Sequence, residues 1–138
     1  MLNMGILDAF FGGKKTGVYK TAEWHADNRR NKLEATPQIL GVLKEQGVTE
    51  ESSLHLEFFF YTNSSEKASR LSKELSDLGY SSGFGPSAYN ATEFLVTGWS
   101  IPVKMDEQSV LDWTVSMCDL AAGYDCEFDG WGTNPDQT

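Results

Sequence analysis

Three carboxylates fall at alternate positions near the C-terminus, in Tyr124-Asp125-Cys126-Glu127-Phe128-Asp129-Gly130-Trp131-Gly132. Grouped carboxylates can hold a divalent cation or move protons. On a strand, however, side chains two residues apart are separated by about 7 Å, too far for one ion to take all three. The same alternation turns Tyr124, Cys126 and Phe128 to the opposite side from Asp125, Glu127 and Asp129. The stretch therefore reads as a half-buried final strand whose acidic side is solvated. His25 and His55 have no Cys or His at zinc-ligand spacing. No Ser or Cys has an identifiable base. Gly83-Phe84-Gly85-Pro86-Ser87-Ala88 has the letters of a dinucleotide fingerprint, but a strand rather than a helix is expected after it. The residues imply no catalytic group, no metal and no cofactor. The carboxylates are candidates for contact with another macromolecule.

Charge narrows that partner. Residues 1–50 carry seven Lys/Arg against six Asp/Glu, whereas residues 51–138 carry four against fourteen. The second part repels phosphate backbones, which disfavours direct nucleic-acid binding, and attracts a protein with a basic surface. Two cysteines, Cys118 and Cys126, are too few for a disulfide framework in 138 residues. A reducing, cytoplasmic setting fits them. The apolar stretch Gly5–Phe11 is too short to span a bilayer, and its lysines, Lys14 and Lys15, follow it rather than precede it as in a signal peptide.

The chain divides into a leader, residues 1–35, and a domain, residues 36–134. In the leader Ile6, Leu7, Phe10 and Phe11 fit a short amphipathic turn, either docked on the domain or giving a weak peripheral membrane foothold through residues 5–15. Thr36 followed by Pro37 predicts a helix start, with Gly47 as its end, over residues 36–47. Leu54–Tyr61 alternates as a single strand, with Leu54, Leu56, Phe58 and Phe60 on one side and His55, Glu57, Phe59 and Tyr61 on the other. Asn63 with Glu66 predicts a capping box, and Ala68, Leu71, Leu75 and Leu78 give a helical stripe closed by Gly79. Tyr80–Phe84 is a weak edge strand, and Glu93–Trp99 is the next strand. Asp106 caps a second helix that ends at Gly123, and the acidic strand follows. From residue 53 the order is strand, helix, strand, strand, helix, strand. That is an α+β, ferredoxin-like βαββαβ sandwich: a four-stranded antiparallel sheet with helices on one face, first and third strands central, plus an N-terminal helical segment.

The other face is then open. Alternation assigns to it His55, Glu57, Phe59 and Tyr61 from the first strand, Leu95, Thr97 and Trp99 from the third, and Asp125, Glu127 and Asp129 from the last. Aromatics beside carboxylates have the make-up of a protein-binding patch. The expected contact residues are Asp125, Glu127, Asp129, Trp131, Glu57, Phe59, Tyr61 and Trp99. Cover by the N-terminal turn is the competing expectation, because a bare patch of this size is unusual in a monomer. RNA recognition modules share this strand order, but their basic and aromatic consensus is missing around Glu93–Trp99. A small enzyme using His55 with the carboxylates is a further alternative.

Three stretches resemble the regulator of ribonuclease E activity B family, bacterial protein inhibitors of ribonuclease E. They are Leu56-Glu57-Phe58-Phe59-Phe60-Tyr61 with the helix ending Leu78-Gly79-Tyr80; the helix leading into Ala121-Ala122-Gly123-Tyr124-Asp125; and Glu127-Phe128-Asp129-Gly130-Trp131-Gly132-Thr133, with Phe128 where the family has Tyr. The similarity covers Thr36–Asn134 and leaves residues 1–35 outside it. It implies a ferredoxin-like, cytoplasmic, non-catalytic protein that binds ribonuclease E outside its active site and reduces its cutting of RNA. The alternative is an interaction or immunity-type domain of the same fold that binds a different basic protein.

Overall fold

The computed structural model describes residues 17–137. The apolar turn at Ile6–Phe11 and the Lys14-Lys15 pair lie outside the described residues. Nine elements follow in order: α1 Ala22–Glu45, β1 Ser53–Leu54, β2 Glu57–Thr62, α2 Ser65–Asp77, β3 Ser81–Pro86, β4 Phe94–Trp99, β5 Val103–Lys104, α3 Glu107–Gly123 and β6 Glu127–Gly132. The main sheet is antiparallel in the order β3-β4-β2-β6. The first and third of its strands are therefore central, and the architecture is the expected ferredoxin-like one.

Alternation in β2 sets the layers. Leu56, Phe58 and Phe60 are fully buried, as are Val96 of β4 and Phe128 of β6. Ala68, Leu71 and Leu75 of α2 and Val110, Trp113 and Met117 of α3 close the core over them. Phe60 and Phe128 pack at 5.2 Å between ring centroids, and Trp113 meets Phe128 edge-on at 6.1 Å. Two polar ties join the helices. Trp113 Nε1 donates to Tyr80 Oη at 3.0 Å, just past α2, and Tyr124 Oη donates to Glu74 Oε1 at 3.0 Å. Such ties fix orientation where apolar packing alone would let the helices slide.

The first helix differs most from expectation. It does not begin at Pro37 but runs through the boundary expected at 35/36, from an N-cap at Thr21 whose Oγ1 accepts from Trp24 N. Pro37 lies inside it. Interior proline removes one helical hydrogen bond and costs about 3 kcal/mol. The cost is offset by packing: Thr36 and Leu43 are buried, Ile39 and Leu40 lie against the core, and α1 lies along α3. Thr36 Oγ1 donates to Lys32 O within the helix, so its hydroxyl serves the interior rather than a cap. The amino-terminal half, polar in sequence, is held by single contacts. Asn28 Nδ2 donates to Phe128 O at 2.9 Å, which occupies an edge carbonyl of β6, and Arg29 pairs with Asp119 of α3. Gly47, at φ +96°, closes α1 as expected.

Three local expectations also change. The strand expected over Leu54–Tyr61 is interrupted. β1 pairs with β5 in a separate two-stranded sheet, and Leu56 is bridged to Ser100 through Ser100 N–Leu56 O and Leu56 N–Ser100 Oγ. The cap of α2 is Ser64, one residue later than Asn63, with its Oγ accepting from Glu66 N and Lys67 N. β6 begins at Glu127, because Tyr124 caps α3 and Asp125 is in the left-handed region at φ 55°. Asp106 and Gly79 do cap as expected. Gly98 has its own reason: a Cβ there would lie 2.0 Å from the Ser81 carbonyl oxygen, so β3 and β4 approach closely only over glycine.

Candidate protein-binding face

Cross-strand register builds the open face row by row. Glu57 lies opposite Trp99, Phe59 opposite Thr97 and Tyr61 opposite Leu95. The edge strands flank this strip with small residues: Ser81, Gly83 and Gly85 of β3 stand beside Trp99, Thr97 and Leu95. On the other side Gly132 and Gly130 stand beside Glu57 and Phe59, and Glu127 beside Tyr61. The result is a narrow apolar strip, Phe59, Tyr61, Leu95 and Trp99, raised between glycine-lined flanks. Among the described residues no helix covers it: α2 and α3 pack on the opposite side, and α1 runs beside α3 and the β6 edge. Trp99 keeps 37% of its surface exposed.

One end of the strip is acidic. Glu93, one residue before β4, shares strand parity with Leu95 and joins Glu127 there. Between them stands Tyr19, whose Oη donates to Glu93 Oε2 at 2.7 Å and lies 3.5 Å from Glu127 Oε1. Asp129 is exposed where the β2–β6 register shifts between Phe59 and Phe60, next to Gly130 at φ 130°. Burial, together with the charges of Asp129 and Glu93, pushes the Glu127 carboxyl above its usual range although Lys20 Nζ is 3.9 Å away. Burial raises both phenols, helped by Glu93 and Glu127 at Tyr19 and by Asp129, Glu127 and Glu93 at Tyr61. Lys20 is itself shared, 4.8 Å from the ring centroids of both Tyr19 and Trp24.

Six of the eight expected contact residues meet on this surface: Glu57, Phe59, Tyr61, Trp99, Glu127 and Asp129. Two do not. The Asp125 side chain turns away from the open face into a network, accepting from Lys67 Nζ at 2.7 Å, Tyr19 N at 2.7 Å and Lys20 N at 3.1 Å. Expecting it to share a strand face with Glu127 was wrong because the chain is still leaving α3 at that point. Trp131 stands opposite Phe58, on the helix side, and meets Trp113 edge-on at 6.2 Å. Glu93 and Tyr19 were missed. Glu93 was recoverable from its parity with Leu95; Tyr19 carries no periodic signal.

Other chemistry has little footing. Among the described residues no group of three or more His, Cys, Asp or Glu is placed to hold a metal ion. The Nδ1 of His55, assigned to the open face, lies 2.6 Å from Ser100 O, to which its N–H can donate. Both cysteines are free and buried, and burial pushes the Cys126 thiol up to about 11. No helix among the described residues is long and apolar enough to cross a membrane. Comparison with curated proteins found no match. Residues 33–133 match the family described as Regulator of ribonuclease activity B, which takes in β1 to β6 and the second half of α1. With most of its length matched, including every strand of the open face, the chain belongs to that family of ribonuclease regulators.

Proposed function

We propose that this chain restrains ribonuclease E by binding it as a protein, outside the active site, and so modulates RNA decay in the cytoplasm without catalysing a reaction itself. The observation that supports this most directly is the apolar strip of half-buried Phe59, Tyr61 and Leu95 with exposed Trp99, which has Glu57 at one end, Glu93 and Glu127 at the other and Asp129 along its β6 side. Exposed aromatics in a polar rim are the side chains that most often dominate protein association. The acidic rim selects the partner's charge. It repels RNA and is drawn to a basic protein surface.

The test is titration of purified ribonuclease E with this protein at low and high salt, alongside RNA cleavage. Saturable binding that weakens as salt rises, with cleavage reduced at saturating RNA, is the expected result. No binding at low salt, or inhibition that excess RNA abolishes, would overturn the proposal.

A further inference from the structure

The two edges of the main sheet are finished differently. On β6 the ladder shifts register, exposed Asp129 stands beside the shift, and Asn28 Nδ2 occupies the Phe128 carbonyl. Shifts, charges and covering contacts keep an edge from pairing with another chain. β3, the opposite edge, has none of them among the described residues. It runs in unbroken register with β4, pairs with no second strand there, and reads Ser81-Ser82-Gly83-Phe84-Gly85-Pro86, without a charge. Only the proline at its last position interferes with further pairing.

We propose that β3 pairs antiparallel with β3 of a second copy of this chain, about a two-fold axis at Phe84, joining the two sheets into one of eight strands. Three observations carry this. The first is the phase of the backbone. Ser87 N donates to Glu93 O at 2.8 Å, and alternation then turns the backbone groups of Ser81, Gly83 and Gly85 toward β4 as well. The N–H and C=O groups of Ser82 and Phe84, and the Pro86 carbonyl, point outward. A two-fold at Phe84 sets the Phe84 N–H against the Phe84 carbonyl of the other copy, and the Ser82 N–H against its Pro86 carbonyl. Every outward N–H is used, and the N–H that Pro86 lacks would have faced only the Ser82 carbonyl. The strand is thus complementary to itself.

The second is the side chains. Leu78, Phe84, Tyr89, Trp99 and Ile101, five of the seven large apolar residues exposed among the described residues, lie on β3 or beside it. Phe84 stands opposite buried Val96, on the helix side of the sheet. Across the two-fold its counterpart has a Cα about 5.5 Å away, so the two rings cover each other. The same register brings the turn that carries Tyr89, 92% exposed, level with Gly79 and Ile101 of the other copy. Exposed apolar residues gathered in this way mark an association surface.

The third is charge. Between Asp77 and Lys104 the one charged side chain is Glu93, although 22% of the chain is charged. Two copies, each with a net charge of −9, repel least where they approach along this edge. A basic partner is drawn to the acidic end of the open face instead, so the neutral edge favours a second copy over such a partner. The pairing leaves the open face untouched and does not depend on the function proposed above.

The test is sedimentation equilibrium of the full-length protein from micromolar to millimolar concentration, with amide hydrogen exchange read by NMR on the same samples. A reversible dimer that tightens as salt screens the like charges is expected. Protection at Ser82 and Phe84 should rise with concentration, while that at Gly83 and Gly85, already bonded to β4, stays level. A monomer throughout overturns the pairing, as does a dimer that loosens as salt rises. A dimer without new protection at Ser82 and Phe84 uses another surface and overturns it too. So does protection at those amides that is independent of concentration, because the chain's own residues then cover the edge. Phe84→Lys sets two cations at the two-fold and should weaken the dimer at least about tenfold; an unaltered dimer overturns a contact centred on Phe84. If that variant fails to fold, the exchange pattern of the unaltered protein still decides.

Discussion

Lys67 Nζ lies 2.7 Å from a carboxylate oxygen of Asp125, joining the first turns of α2 to the link between α3 and β6. The same carboxylate accepts the backbone N–H groups of Tyr19 and Lys20, so one side chain fastens three segments distant in sequence. Burial alone would raise its pKa, but the bonds from Lys67, Tyr19 N and Lys20 N outweigh burial and hold it below the usual carboxylate range. A group whose pKa is depressed by folding stabilises the fold above its unfolded pKa and ceases to do so as pH falls through its folded pKa. Asp125→Asn keeps a residue that tolerates the left-handed backbone and removes only the charge. The variant should lose about 1–2 kcal/mol at neutral pH. In urea denaturation the gap from the unaltered protein should be full above about pH 4 and close in stronger acid. A gap independent of pH would mean that the charge is not what holds these segments.

Glu127 behaves in the opposite way, although only two residues separate it from Asp125. Its carboxyl is raised in the fold, so the group favours folding below its unfolded pKa, and that benefit is lost as pH rises through the folded value. At neutral pH its charge therefore works against the fold. Glu127→Gln should leave thermal stability unchanged or slightly higher, within about 0.5 kcal/mol. Combined with Asp129→Asn, it should weaken binding to a basic partner and flatten the salt dependence. Thermal melts and titrations of the same preparations check both halves. A loss of stability comparable to that of Asp125→Asn would make Glu127 a structural carboxylate too.

The contrast between these two acids shows what the sequence could and could not disclose. Alternation through Leu56, Phe58 and Phe60 was legible because burial and the period of a strand coincide there, and the ferredoxin-like order followed from it. Gly79 and Asp106 were legible because their conformational and capping preferences are local. Asp125 was misplaced because alternation was carried back past Glu127 into a helix exit that has no period. The first half of α1 was not legible as part of one long helix because it has no apolar stripe; Asn28, Arg29 and Thr21 hold it through single polar contacts. Pro37 then looked like a boundary, since the packing that tolerates it is tertiary.

Trp99 tests the apolar half of the proposed interface. It sits opposite Glu57, more than a third exposed, with Ser81 on its outer side. Truncation of such a residue removes little internal packing, so Trp99→Ala should cost about 1 kcal/mol or less in unfolding. A large aromatic in the middle of a partner contact commonly contributes 2 kcal/mol or more, so affinity for the partner should fall about 30-fold. Calorimetric titration with the partner reads this directly. Unchanged affinity would remove the strip from the interface and leave only its acidic end.

Trp131 gives the complementary case, an aromatic in the motif shared with the family whose role here is internal. Its ring meets Trp113 at 90° and 6.2 Å, and Trp113 in turn meets Phe128. It also helps line a small groove between α1 and β6, with Lys32, Ala35 and Ile39 opposite. Removing the indole would unseat Trp113 and loosen α1 from the sheet together. Trp131→Ala should therefore cost about 2–4 kcal/mol in unfolding, while Trp131→Phe, which keeps an apolar ring, should recover at least half of that. Once corrected for the folded fraction, affinity for the partner should not change, because the ring lies on the helix side of the sheet. Hydrogen exchange supplies the spatial check: protection should fall first along α1 and β6, leaving β3 and β4 intact. A Trp131→Ala protein that melts like the unaltered chain yet binds its partner weakly would reverse the assignment and return this residue to the contact surface.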